Sequence, residues 1–121
     1  MIKLYDAELK VMKLLWEHGS MTAKEISVHL KKELDWEKTT TYTVIKKCVD
    51  KNVIIKKSPN YICEPMVTKE QVQNYETNEL ISKMFNGDRD QFFASIINEN
   101  GITKKEADNL RKLLDALSTD D

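Results

Sequence analysis

The chain has 121 residues, 40% of them hydrophobic and 32% charged, with a formal net charge of −1. That balance describes a soluble globular chain, one domain or a small domain with an appendage, and no apolar run approaches the ~20 residues that a membrane-spanning helix needs. The opening MIKLYDAELK mixes charge and hydrophobe without the apolar stretch of a secretory signal, so the expected location is the cytoplasm.

Divided, the charge is less neutral than the sum. Residues 1–70 hold 13 lysines and no arginine against 10 acids, whereas residues 71–121 hold 6 basic against 10 acidic side chains. A basic front and an acidic back fit a chain whose front alone approaches a polyanion. Cys48 and Cys63 are the only cysteines and lack redox or zinc spacings, so both read as buried free thiols. His18 and His29 form no ligand pattern with them, and no metal or other cofactor is expected. No Gly-rich phosphate loop and no nucleophile with a recognisable partner is present, so no catalytic residues are assigned and an enzyme is the poorest reading.

In chain order, a first helix is expected with Asp6 as its N-cap. It would bury Leu9, Met12, Leu14, Leu15 and Trp16 and stop at Gly19, with His18 near the negative pole of its dipole. A second helix runs from about Thr22 to Glu33. Thr22 and Glu25 have capping-box spacing, and Ala23, Ile26 and Leu30 face inward.

The stretch from Trp36 to Asn52 divides a third helix into two unlike sides. Thr41, Val44, Ile45, Cys48, Val49 and Asn52 make a stripe that can be buried. Thr39, Thr40, Tyr42, Thr43, Lys46 and Lys47 make the other side, with no acid between Glu37 and Asp50. Such a side can be plain solvated surface, but hydroxyls and ammonium groups are also what phosphate oxygens and base edges bind. Asn52 then allows a left-handed turn.

Two strands follow, Val53 to Lys56 and Asn60 to Glu64, joined by Lys57-Ser58-Pro59, with Lys56 and Lys57 at the tip. Three helices and a basic-tipped hairpin make a winged helix-turn-helix, which places the third helix in the major groove and the hairpin lysines beside neighbouring phosphates. The expected fold is mainly α with this small β-hairpin wing: a DNA-binding domain over residues 1–70 and a three-helix dimerisation domain over residues 71–121.

In the second part, Thr68 and Gln71 cap a helix through Phe85, and Asn86-Gly87-Asp88 breaks it. A shorter helix from about Asp90 to Asn98 carries Phe92, Phe93, Ile96 and Ile97. Asn100-Gly101 breaks again, and Thr103 with Glu106 caps a last helix carrying Ala107, Leu110, Leu113, Leu114 and Leu117. Three helices of this size are marginal alone with so much apolar surface. A second copy is the natural cover, since a two-fold dimer buries like faces against each other and presents two reading helices.

Over nearly its full length the chain resembles the penicillinase repressors, the BlaI/MecI group with its copper-responsive CopY branch. The resemblance rests on Asp6-Ala7-Glu8-Leu9, Val11-Met12, Leu15-Trp16, Thr22-Ala23, Glu25-Ile26, Trp36, Thr40, Thr43-Val44-Ile45, Lys51, the hairpin, and Leu110-Arg111 with Leu113-Leu114. It implies a dimeric repressor on palindromic operators with TACA/TGTA-like half-sites, upstream of antibiotic-resistance genes or its own operon. It also implies a membrane-anchored sensor protease as partner, and Ser95-Ile96 stands where antibiotic-sensing members carry the Asn-Phe bond that is cut. Neither residue type is kept at that bond. The closing Leu117-Ser118-Thr119-Asp120-Asp121 holds no CxC metal site of the copper kind. Where members often carry Arg or Gln, Arg, and Gly, this chain has Tyr42, Lys47 and Asn52, which alters base preference and forgoes a bidentate fork.

The expected DNA contacts are Thr40, Tyr42 and Thr43 for bases, Lys38, Lys46, Lys47, Lys56 and Lys57 for phosphates, with Thr39 on the same side and Thr22 and Lys24 at the start of the bracing helix. Dimerisation is assigned to Phe92, Phe93, Ile96, Ile97, Leu110, Leu113, Leu114 and Leu117. Two alternatives remain open: a winged-helix module that binds protein, and a repressor whose second part senses a small ligand among Tyr75, Met84, Phe92 and Phe93.

Overall fold

The computed structural model describes residues 3–99 and 101–117. In chain order its elements are α1 (Asp6–His18), β1 (Met21–Thr22), α2 (Ala23–Leu34), α3 (Lys38–Asp50), β2 (Ile54–Lys57), β3 (Ile62–Pro65), α4 (Lys69–Phe85), α5 (Arg89–Glu99) and α6 (Lys104–Leu117). The chain divides into two compact units, the first reaching to Thr77 and the second starting at Asn78, a break that falls within α4.

The N-cap of α1 is Tyr5, which corrects the expectation of Asp6. The Glu8 carboxylate accepts the Tyr5 backbone N–H at 2.8 Å, so the chain enters the helix one residue early. Asp6 becomes a first-turn residue, where its charge still faces the positive end of the dipole. Val11, Met12, Leu14 and Leu15 are buried and Leu9 and Trp16 partly so, with the Trp16 indole donating to the Val67 carbonyl at 2.9 Å. At Gly19, φ of 82° turns the chain while its N–H closes the last turn on Leu15 O at 2.8 Å.

The α2 cap is reciprocal: Glu25 N–H donates to Thr22 Oγ1 at 3.1 Å, and Thr22 N–H donates to the Glu25 carboxylate at 2.9 Å. Ala23, Ile26 and Leu30 are buried as their spacing predicts. Asp35 ends the helix in the left-handed region at φ 56°.

Thr41, Val44, Ile45 and Cys48 form the buried stripe of α3, with Val49 at its margin. Asn52 departs from that stripe: it lies past the helix end, exposed, with φ 63°. A left-handed residue no longer follows the helical period, and Asn pays less for that conformation than most side chains.

The sheet is antiparallel with order β1-β3-β2. Ile54 pairs with Pro65 and Lys57 with Ile62, so Lys57 is a strand residue and not part of the loop. Asn60 and Tyr61, expected in the second strand, sit in the turn at φ 71° and 51°, values that cannot continue a β ladder. The extra strand β1 pairs Met21 with Cys63 and Thr22 with Ile62, and joins the wing to the start of α2. Cys48 and Cys63 are free and buried.

In the second part of the chain, Thr68–Gln71 and Thr103–Glu106 are reciprocal capping boxes with bonds of 2.8–3.1 Å. Asp88 accepts Gln91 N–H at 3.1 Å to start α5. Phe92 packs edge-on against Phe85, ring centres 5.7 Å apart. Much of the remaining apolar surface is open: Leu113, Leu114 and Leu117 are 65–67% exposed, and Phe93, Ile96, Ile97 and Leu110 are also exposed. No described helix is long and apolar enough to cross a membrane.

Candidate nucleic-acid interface

Helix α3 owes its position to its buried stripe, which packs against α1 and α2. Fixing that stripe fixes the opposite side outward. Lys38, Thr39, Thr40, Thr43, Lys46 and Lys47 are all exposed, and Tyr42 is half-buried. Glu37 precedes the helix without capping it through its side chain, and no acid stands in the first turn. The positive end of the helix dipole is therefore left for an outside anion.

Several of these groups have neighbours that limit them. The Thr43 hydroxyl donates to Thr39 O at 2.8 Å, leaving its lone pairs free to accept from a base. Lys46 pairs with Asp50 at 3.2 Å, and Lys57 with Glu64 at 2.7 Å. Such exposed pairs contribute little and can exchange for a phosphate. Lys38 lies 5.6 Å from the centre of the Tyr42 ring. Neither Lys38 nor Lys47 forms an ion pair among the described residues.

The wing comes close to α3 through two rings. Tyr42 and Tyr61 meet edge to face with centroids 5.9 Å apart, and the Lys56 ammonium sits 4.1 Å from the centre of the Tyr61 ring. Burial, with Cys63, Tyr42 and Asp50 nearby, raises the Tyr61 phenol above its ordinary value. Sequence reading passed over Tyr61. Its signal is the Ser58-Pro59-Asn60 turn before it, which puts an aromatic ring at the turn of the wing, beside Lys56.

Thr22 and Lys24 lie at the start of α2, which β1 joins to the wing through the pairing of Thr22 with Ile62. The Thr22 amide and hydroxyl are both engaged by Glu25, and Lys24 is exposed. His18 and His29 bring their rings to 5.2 Å, each also near a glutamate of its own helix. The residues named for a ligand pocket are divided: Tyr75 lies in the first unit and Met84, Phe92 and Phe93 in the second, where Met84 is 64% exposed. Ser95 and Ile96 lie inside α5.

The penicillinase repressor family model matches residues 4–116. The chain belongs to the penicillinase repressor family. It is 21% identical over 115 residues to the penicillinase repressor of Bacillus licheniformis, covering 93% of this chain and 90% of that one. It is 24% identical over 119 residues to that of Staphylococcus aureus, covering 97% and 94%. Among solved structures, the DNA-binding domain of the repressor BlaI in solution aligns with a TM-score of 0.53 and 26% identity, over 56% of this chain and 85% of that one. The monomeric form of Bacillus licheniformis BlaI in complex with the blaP half-operator aligns at 0.50 and 27%, over 58% and 89%. Family and fold together place the chain among winged-helix DNA-binding repressors and outside the enzymes.

Proposed function

We propose that this family member acts as a homodimer that occupies a palindromic operator and blocks transcription of a resistance operon or its own. The observation that carries the reading is the two-sided build of α3: Thr41, Val44, Ile45 and Cys48 are core, while Thr39, Thr40, Thr43, Lys46 and Lys47 are exposed, with Lys46 lining one groove with Lys56 of the wing. Thr40, Tyr42 and Thr43 read base edges. Lys38, Lys46, Lys47, Lys56 and Lys57 hold phosphates, with Thr39, Thr22 and Lys24 as flanking contacts. Half-sites of the TACA/TGTA kind follow from the family resemblance, with Tyr42 altering the step it faces. The half-operator bound by the BlaI neighbour supports the reading, since that protein carries the same fold.

Residues 1–70 form the DNA-binding part and 71–121 the pairing part. Leu110, Leu113, Leu114 and Leu117 with Phe93, Ile96 and Ile97 present an apolar face on α5 and α6 that water covers poorly, and Phe92 braces it from within. Pairing doubles the reading helices, and its loss forfeits the effective concentration that links one half-site to the other. A membrane-anchored sensor protease acting at Ser95-Ile96 would first have to open α5, because a helical bond is not extended for cleavage.

Selection of bound sequences from random DNA tests the assignment: an inverted repeat is expected. The variant Leu110→Asp/Leu114→Asp should run as a monomer in light scattering and lose most operator affinity. Recovery of unpaired single sites by wild type, or a dimer that survives both aspartates, would contradict it.

A further inference from the structure

The turn of the wing holds a bulky residue where bulky residues are seldom found. Tyr61 sits at φ 51°, in the left-handed region that bulky side chains rarely occupy. Three contacts keep it there. Its carbonyl accepts the Ala23 N–H at 2.9 Å, its ring meets Tyr42 of α3, and Lys56 of β2 lies over its face at 4.1 Å. Asn or Gly would take this backbone with less strain, so the ring is what the position gains. A groove of about 380 Å³ between α3 and the wing is lined by Tyr42, Lys46, Val49, Asp50, Lys56 and Tyr61.

We propose that Tyr61 is a positioning residue for DNA binding, whose ring ties the wing to α3 and holds Lys56 so that wing and helix engage one stretch of backbone together. The proposal rests on the DNA-binding reading above. Lys56 would otherwise carry the rotamer entropy of a long free side chain into the complex. Over the ring face it is preorganised, by an attraction that survives at exposed sites. The edge contact to Tyr42 transmits the same constraint to the helix that also bears Lys38, Lys46 and Lys47.

The test measures binding of the full chain to a mixed-sequence DNA duplex across a salt series. Lys56→Ala should lower the slope of log K against log salt by about 0.9, the value of one phosphate contact. Tyr61→Asn and Tyr61→Gly, both compatible with the turn, should keep the cooperative thermal melt yet lower the slope in the same direction. Combining either with Lys56→Ala should cost less than the sum of the two single losses, and Tyr61→Phe should behave as wild type. Additive losses in the double variant, or an unchanged slope in folded Tyr61→Asn or Tyr61→Gly, would overturn the role of Tyr61 while leaving DNA binding intact. Wild-type binding that ignores salt would overturn the DNA-binding reading, and this proposal with it.

Discussion

At the residue scale, three buried polar groups carry the clearest consequences. Thr41 is fully buried on the core side of α3, and its hydroxyl has no hydrogen-bond partner among the described residues. An unpaired buried hydroxyl costs about 1–3 kcal/mol, more than the small helix-propensity difference between Thr and Val. Thr41→Val should therefore raise stability by about 1 kcal/mol in urea unfolding, and a lower midpoint would show the hydroxyl to be satisfied. Burial pushes the Cys48 thiol up to about 12 and the Cys63 thiol to about 11, from an ordinary 9.0. Below pH 9 both states keep these protons. From there to about pH 11–12 the unfolded chain releases protons that the folded chain retains, so stability falls as pH rises through that window. The urea midpoint should drop between those limits, and Cys48→Ala/Cys63→Ala should flatten the drop. An equal drop in the double variant would assign it to other groups.

At the element scale, α1 and the end of α3 are clamped by one ion pair. The Glu8 carboxylate is almost fully buried and bonds Lys51, the C-cap residue of α3. Lys51 also donates to Lys3 O at 3.0 Å and lies 4.5 Å from the centre of the Tyr5 ring. Lys51→Met leaves a buried carboxylate with only the Tyr5 amide as partner, at a cost of about 3 kcal/mol. Glu8→Gln in the same chain should restore part of it. A Lys51→Met protein as stable as wild type would show that the pair does not hold the helices.

The same elements show what a sequence can and cannot disclose. The capping boxes at Thr22, Thr68 and Thr103 were legible because two side chains at fixed spacing satisfy local amides whatever the fold. The buried and open sides of α3 were legible because burial follows the helical period. Strand β1 was not, since two residues carry no period and gain their pairing only from β3. The Tyr5 cap was hidden by Asp6, a better capping residue one position on, because Glu8 decides the outcome. Tyr61 escaped because an aromatic between Asn60 and Ile62 reads as strand, and its left-handed turn is set by tertiary contacts with Ala23 and Tyr42.

At the scale of the whole molecule, a net charge of −1 conceals a chain whose lysines matter by placement. Thirteen lysines lie in residues 1–70; those on α3 and the wing are exposed, and Lys46 and Lys56 line one groove. The second part contributes apolar helices with Leu113, Leu114 and Leu117 open to solvent. In the proposed dimer, repression needs no chemistry: two copies of one basic, hydroxyl-bearing helix surface would bind a polyanion and exclude polymerase. Operator binding depends in this proposal on the outward side of α3. Its most direct measurement is the slope of log K against log salt for operator binding by Lys46→Ala/Lys47→Ala beside wild type. The account predicts a slope shallower by about 1.8, two phosphate contacts at ~0.9 each, with weaker binding to any duplex. A slope unchanged from wild type would contradict it, because the helix would then meet DNA with some other face.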